Sequence, residues 1–179
     1  MGRLTHRTSP GCIYFVTTNT WERRELLRVP QNAEIVIECL LSYRDRGEYL
    51  LHEFVIMPNH LHILITPGDK CTIERGMQLI KGGSSHAIYE KRGHKMLIWQ
   101  PGFHEWTVRG FQDYTRKRDY IWQNPVIRKL AEKPEEWIFG SACGRYRLDE
   151  TPARLRHTSG AEAPSQTETV NVGAKAPTP

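Results

Sequence analysis

The chain has 179 residues, a hydrophobic fraction of 39% and a mean hydropathy of -0.56, which predict one soluble domain with a substantial core. No apolar run approaches the roughly 20 residues that span a bilayer, the polar N-terminus has no signal-peptide core, and four scattered cysteines without a CxxC pair argue against a zinc ribbon or a disulfide framework. The net charge is +5, and since residues 149–179 hold four acidic and three basic residues, residues 1–148 carry +6, which favours a polyanionic partner but also fits simple solubility.

The first half of the chain predicts a strand, a helix and two further strands. Cys12–Thr18 is rich in β-branched and aromatic residues, which favours a strand. Apolar residues recur at helical spacing over Asn32–Arg46. Tyr49–Met57 and His60–Thr66 are apolar runs separated by a tight Pro-Asn connection, so we expect them to pair as a hairpin.

The second half predicts helix, strand, helix. Thr72–Arg92 is mostly helical but interrupted at the glycine pair 82–83, Trp106–Arg109 forms a fourth strand to which residues 98–99 add, and Gln112–Gln123 is a helix with an acidic first turn. The order β-α-β-β-α-β-α predicts an α+β protein with a ferredoxin-like antiparallel sheet and one extra helix.

The last residues differ in composition from the body. From about residue 151 the chain consists largely of Pro, Ala, Ser, Thr and Glu, with no aromatic residue. Such a segment buries too little apolar surface to offset its ordering entropy. We therefore expect a single domain over residues 1–150, followed by a disordered low-complexity tail over 151–179.

Two histidines in the third strand are the first candidate site. Side chains two apart on a strand share a face, so His60 and His62 are expected to project together. Two imidazoles placed this way can chelate one divalent ion. Two core histidines, or one hydrogen-bonded and one exposed, would give the same spacing.

The last helix carries the second candidate site. Tyr120 and Asn124 are four residues apart and so share one helical face, and Pro125 predicts a turn or kink near Asn124. A phenol and an amide oxygen would then point the same way. The alternative is that Tyr120 packs on the sheet and Asn124 caps a turn.

Four blocks of the chain together resemble the REP-associated tyrosine transposases, which are single-tyrosine HUH endonucleases. The blocks are Met-Pro-Asn-His-Leu-His at 57–62, Trp-Gln-Pro-Gly-Phe-His-Glu at 99–105, Tyr-Ile-x-x-Asn-Pro-Val at 120–126, and Pro-Glu-Glu-Trp at 134–137. The resemblance covers roughly residues 8–145. An HxH pair alone is weak evidence, whereas four blocks in order are strong evidence.

The resemblance implies roles for these residues. His60 and His62 would hold Mg²⁺ or Mn²⁺, Asn124 would be the third protein ligand, and Tyr120 on the last core helix would attack DNA to form a 5′-phosphotyrosine. Tyr114 is a competing nucleophile, but the residue four positions later is an arginine, which does not bind a cation. The tyrosine acts in the same subunit or from a partner, so monomer and homodimer both stay open.

The resemblance also implies the partner, which is single-stranded DNA folded into palindromic REP-like hairpins, in the bacterial cytoplasm with the nucleoid. The basic candidates for phosphate contacts are Lys81, Arg92, Arg109, Arg116 and Lys117. Exposed bases would stack on Trp99, Trp106 or Trp122, although core packing is the stronger expectation for Trp106, and His104 and Glu105 lie near the same end. Two other functions stay open: a non-cleaving hairpin-binding protein derived from a transposase, and an unrelated metal-binding protein of the same fold.

Overall fold

The computed structural model describes residues 8–152, so the segment expected to be a disordered tail lies outside the described residues apart from 151 and 152. The element order is the one predicted. In chain order the strands and longer helices are β1 (Tyr14–Asn19), α1 (Pro30–Asp45), β2 (Tyr49–Met57), β3 (His60–Pro67), α2 (Ile73–Arg92), β4 (His104–Thr107) and α3 (Phe111–Ile127).

The four strands form one antiparallel sheet in the order β2-β3-β1-β4. This is the ferredoxin-like arrangement predicted from the element order. The β2–β3 hairpin forms as expected, with Met57 opposite His60. The central strand β3 pairs on its other side with β1, where Thr17 lies opposite His62 and Asn19 opposite His60.

The two faces of the sheet carry different helices. Leu61, Ile63 and Ile65 of β3 pack in the larger apolar cluster with residues of α1 and α2. Leu64 belongs to a smaller cluster that includes Ile121 of α3. Since strand side chains alternate, α1 and α2 cover one face and α3 covers the other, and the histidines of β3 face α3.

The predicted interruption of α2 is wrong, because the helix runs without a break from Ile73 to Arg92. Gly83 serves a close helix contact instead. A Cβ built on Gly83 would lie 2.6 Å from the Tyr43 hydroxyl of α1, so any other residue would force Tyr43 or the helices to shift. The glycine therefore lets α1 and α2 approach each other, at a small cost in helix propensity.

Two other boundaries were also predicted incorrectly. α3 does not turn at Asn124 but continues through Pro125 to Ile127, and Pro125 is buried. β4 spans His104–Thr107 rather than 106–109, and Trp99 instead forms an isolated bridge with Thr20 at the end of β1. No helix among residues 8–152 is both long enough and apolar enough to cross a membrane.

Candidate active site

The two histidines of β3 lie side by side beneath α3. His62 is 3% exposed and His60 is partly buried, and their ring centroids are 4.7 Å apart. The spacing follows from the strand alone, because residues two apart on β3 point to one face.

Each histidine has a hydrogen-bond partner at Nδ1. His60 Nδ1 lies 2.6 Å from the side-chain oxygen of Asn59, which only accepts, so the proton sits on Nδ1 and Nε2 keeps its lone pair. His62 Nδ1 lies 2.7 Å from the Thr17 hydroxyl on β1, and His62 Nε2 is buried without a hydrogen-bond partner within residues 8–152. These contacts fix both ring orientations and leave the two Nε2 atoms for another group.

Both imidazoles are neutral at physiological pH. Burial lowers the pKa of His60 to about 4, and the positive charges of Arg128 and Arg23 contribute. Burial also lowers the pKa of His62 to about 3, helped by His60, Arg128 and Lys117. A neutral imidazole is the form that binds a metal ion.

Tyr120 of α3 packs against His62. Its ring meets the His62 ring edge-on at a centroid distance of 5.1 Å, and Phe15 of β1 stacks on the His62 ring at 5.4 Å. Tyr120 is nonetheless 45% exposed, so its ring is both held by the histidine and open to solvent.

Asn124 follows Tyr120 by one helical turn and is 4% exposed. Its side-chain oxygen Oδ1 is buried and has no hydrogen-bond partner among the described residues. Because residues four apart share a helix face, Asn124 lies on the side of α3 that brings Tyr120 to His62.

The described residues offer no acidic metal centre. Within residues 8–152, no group of three or more His, Cys, Asp or Glu side chains is arranged to hold a metal ion. A metal ion at this position would therefore be held by imidazole nitrogens and an amide oxygen, none of which carries a charge.

Tyr114, the competing tyrosine, lies elsewhere on α3. It is 4% exposed, its hydroxyl accepts a hydrogen bond from Thr151 at 3.1 Å, and its ring packs edge-on to His52. It therefore belongs to the interior between α3 and the sheet.

A groove of about 290 Å³ opens beside Tyr120 and His62; we call it the Tyr120 groove. Lys117 is in it, with Nζ 4.8 Å from the centre of the Phe15 ring and 5.0 Å from that of Trp106. The groove is lined by Phe15, Thr17, His62, Asp113, Arg116, Lys117 and Tyr120.

The structure brings together only some of the predicted basic residues. Arg116 and Lys117 line the Tyr120 groove, and Arg109 is exposed in the short link between β4 and α3. Lys81 and Arg92 belong to α2, across the sheet from the histidines. The Lys81 amine donates to the carbonyl oxygens of Gln100 and Gly102, 2.6 Å from each.

The three tryptophans occupy different environments. Trp99 is buried and donates to Ser84, whereas Trp106, for which core packing was expected, is 53% exposed and donates to Asp113. Trp122 is partly buried and donates to Glu53. His104 of β4 is exposed directly across from Thr17, with Glu105 next to it.

Sequence reasoning missed the residues that surround the histidines. Phe15 and Thr17 reach His62 only because β1 pairs with β3 in this register, and Arg23 and Arg128 act on His60 through the tertiary fold. The alternation of β1 would have placed Phe15 and Thr17 on one face of that strand. It would not have shown which neighbouring strand they lie beside, or that they lie on the face of the histidines.

The chain has clear relatives of known class. A family model described as "Transposase IS200 like" matches residues 8–124, a range that includes both histidines, Tyr120 and Asn124. The chain is 31% identical over 146 residues to a REP-associated tyrosine transposase of Escherichia coli K12, which covers 78% of this chain and 84% of that protein.

The chain is also similar to a second relative and to a solved structure. A protein of Haemophilus influenzae described as uncharacterized is 30% identical over 98 residues, covering 43% of this chain and 54% of the relative. The solved structure of a REP-associated tyrosine transposase bound to a REP hairpin superposes with a TM-score of 0.68 at 25% identity, covering 91% of this chain and 99% of the other.

Proposed function

The chain belongs to the IS200-like transposase family, among its REP-associated tyrosine transposases, and on that premise we propose that it is a metal-dependent enzyme that cuts and rejoins single-stranded DNA beside palindromic hairpins. The observation that carries the proposal is the contact between the Tyr120 and His62 rings, 5.1 Å between centroids. It puts an accessible phenol next to two neutral imidazoles, which is the combination that a metal-assisted nucleophile requires.

The donor set fits a divalent ion such as Mg²⁺ or Mn²⁺. His62 Nε2 and Asn124 Oδ1 are both buried and find no hydrogen-bond partner in the part of the chain that the structure describes, although buried polar atoms are nearly always hydrogen-bonded. A bound cation would satisfy both atoms at once. His60, His62 and Asn124 would hold the ion, which when bound polarises the scissile phosphate and neutralises the charge that develops there.

Tyr120 would be the nucleophile. Its phenolic oxygen forms a bond to phosphorus, the bond from phosphorus to the 3′-oxygen of the preceding nucleotide breaks, and the phenol proton ends on the released 3′-hydroxyl. The product is a 5′-phosphotyrosine that a later 3′-hydroxyl can attack, which rejoins strands without loss of a high-energy bond. The partial exposure of Tyr120 supports this role, because a DNA strand has to reach it.

The solved relative bound to a REP hairpin supports hairpin DNA as the substrate of this chain too. Arg116 and Lys117 in the Tyr120 groove, with Arg109 nearby, would contact phosphates on the side of the reacting groups. Lys81 and Arg92 would contact DNA that wraps around to the α2 side of the sheet. Binding of this kind weakens steeply as salt increases.

The test is a covalent-adduct assay with labelled hairpins that carry a single-stranded flank, in the presence of Mn²⁺. Tyr120→Phe removes one oxygen and keeps the ring, so it should bind the hairpin but form no adduct that survives denaturing electrophoresis. Tyr114→Phe is the matched control on the same helix and should still form the adduct. Adduct formed by Tyr120→Phe but not by Tyr114→Phe would overturn the assignment.

A wild-type protein that binds hairpins tightly and forms no adduct with any of them would instead identify a non-cleaving hairpin-binding protein derived from a transposase. Asn124→Ala sharpens the distinction. It should reduce adduct formation without abolishing hairpin binding, since His60 and His62 remain to hold the ion in a less fixed position.

A further inference from the structure

A second pocket, with a volume of about 210 Å³, has His60 in its lining; we call it the Arg128 pocket. Three segments build it: the turn after β1, the β2–β3 turn and the end of α3. Its lining consists of Arg23, Glu25, Arg28, Met57, Pro58, Asn59, His60, Arg128 and Leu130.

The Arg128 pocket is electropositive. Its one acidic residue, Glu25, is paired with Arg28 in a two-point salt bridge. Arg23 and Arg128 have no carboxylate within 4.0 Å among residues 8–152, so both guanidinium groups keep their donors for a ligand. A planar guanidinium matches the oxygens of a phosphate better than any other common group.

The backbone is in an unusual conformation at Arg23 and directly after Arg128. Within residues 8–152, positive φ at non-glycine positions occurs only at Glu22, Arg23 and Lys129, with values of 53°, 53° and 58°. Arg23 is one of these residues, Glu22 directly precedes it, and Lys129 directly follows Arg128. Strained backbone of this kind persists where the surrounding structure fixes it, and it concentrates at binding sites.

The surrounding hydrogen bonds supply that restraint. The Arg23 N–H donates to the carbonyl oxygen of buried Thr20 at 3.0 Å, and the Thr20 N–H donates to the Asn59 carbonyl oxygen, also at 3.0 Å. The Arg128 N–H donates to the Asn124 carbonyl oxygen at 3.1 Å. Arg128 is thereby attached to the end of the helix that carries Tyr120 and Asn124.

From this geometry we propose that Arg23 and Arg128 bind a backbone phosphate of the single-stranded DNA flank, next to the phosphate that Tyr120 attacks. The inference rests on the proposed function. His62 lines the Tyr120 groove and His60 lines the Arg128 pocket, and their rings are 4.7 Å apart, so the two cavities lie close together at the histidine pair. A strand with its scissile phosphate at the histidines therefore enters the Arg128 pocket with a neighbouring phosphate. Arg128 lies beyond the residues that the family model matches.

The experiment measures hairpin affinity by fluorescence anisotropy in EDTA, where no cleavage occurs, with the full chain. The probes are a hairpin with a single-stranded flank, the same hairpin without it, and a series in which each flank phosphate is replaced in turn by an uncharged methylphosphonate. The variants are Arg23→Gln and Arg128→Gln. The control is Arg75→Gln, an exposed arginine of α2 on the opposite side of the sheet.

Each variant should bind the flanked hairpin about 10-fold to 100-fold more weakly, as expected for a lost charged hydrogen bond, and bind the flankless hairpin like the wild type. One methylphosphonate position should weaken the wild type by a similar factor and cause no further loss in Arg128→Gln. Melting temperatures of the variants verify that they are folded. Arg75→Gln should behave as wild type on every probe.

Equal losses on both hairpins, or additive losses at every methylphosphonate position, would overturn the phosphate subsite. The outcome is separable from that of the proposed function. If the protein forms the adduct but the affinity losses from Arg128→Gln and each methylphosphonate add up, the proposed enzyme activity stands and the subsite is wrong. If the affinity losses are not additive but no adduct forms, the subsite stands in a protein that only binds DNA. Inorganic phosphate that displaces the flankless hairpin as effectively as the flanked one would also count against the subsite.

Discussion

The two faces of the sheet are built on different principles, although the same strands supply both. The face under α1 and α2 is almost wholly apolar and contains the larger buried cluster. The face under α3 buries His52, Glu53, His62 and Asn124 beside a small apolar cluster, and His62 Nε2 and Asn124 Oδ1 have no hydrogen-bond partner among the described residues. Burial of apolar surface holds the fold together on one side, which leaves the other side able to carry polar groups that folding alone does not favour.

Neighbouring residues of β3 give the sharpest version of this comparison. His62 faces α3, and replacing it with leucine removes a proposed metal ligand while filling most of its volume. We expect adduct formation to fall roughly a thousandfold or more, as for other members of a catalytic group. The free energy of unfolding should change by less than about 1 kcal/mol, because the substitution removes the unpaired Nε2, which stabilises, and also the Nδ1 hydrogen bond to Thr17, which destabilises. Full activity of His62→Leu would contradict the site.

Ile63, the next residue, is fully buried on the opposite face. Ile63→Ala should lower the free energy of unfolding by about 2–5 kcal/mol through lost burial and the cavity that remains. Chemical denaturation measures the stability, and adduct assays well below the melting temperature should show wild-type activity per folded molecule. If Ile63→Ala lost activity with little loss of stability, the division of labour between the faces would be wrong.

Thr17 tests whether the partner of His62 matters. Thr17→Val keeps the shape and removes the hydroxyl that bonds His62 Nδ1, so Mn²⁺ affinity measured by calorimetry should fall about 10-fold to 100-fold. The control is Thr18→Val on the same strand, whose buried hydroxyl has no hydrogen-bond partner and which faces the other side. It should leave Mn²⁺ affinity unchanged.

The polar face should also make stability depend on pH. Burial lowers the pKa of His52, whereas in the unfolded chain a histidine titrates near 6.5. Below about pH 6.5 the unfolded state therefore binds more protons than the native state, and the free energy of unfolding falls as the pH drops. His52→Gln should reduce this slope by at most about 1.4 kcal/mol per pH unit. Denaturant titrations at pH 7 and pH 5 measure it.

Much of the fold was accessible from the sequence because its patterns are local. The bounds of β2 match the prediction and those of β3 differ by one residue, since long apolar runs bracket a Pro-Asn turn. Gly83 was misinterpreted because a glycine that admits Tyr43 and a glycine that ends a helix look alike without the neighbouring helix. The prediction that Trp106 lies in the core was wrong because the burial of an edge-strand residue depends on what covers the edge, and no local sequence pattern indicates that.

The candidate site divides in the same way. The spacing of the two histidines and that of Tyr120 and Asn124 are periodicities of single elements, so both pairs could be proposed from sequence. The contacts that join the pairs, and the positions of Phe15, Thr17, Arg23 and Arg128, depend on strand register and on the packing of α3. Such contacts are separated by tens of residues along the chain, and one sequence carries no signal for them.

Because the key side chains are spaced by the pitch of β3 and of α3, the site has little tolerance for changes in chain length. One residue inserted between Tyr120 and Asn124 would turn the amide by about 100° around the helix axis, and one inserted between the histidines would send one ring to the opposite face of the sheet. Insertions in the connection between α2 and β4, by contrast, leave both spacings intact. Engineered insertions and deletions should therefore preserve activity only when they lie in the connections, because β3 and α3 fix the distances between the reacting side chains.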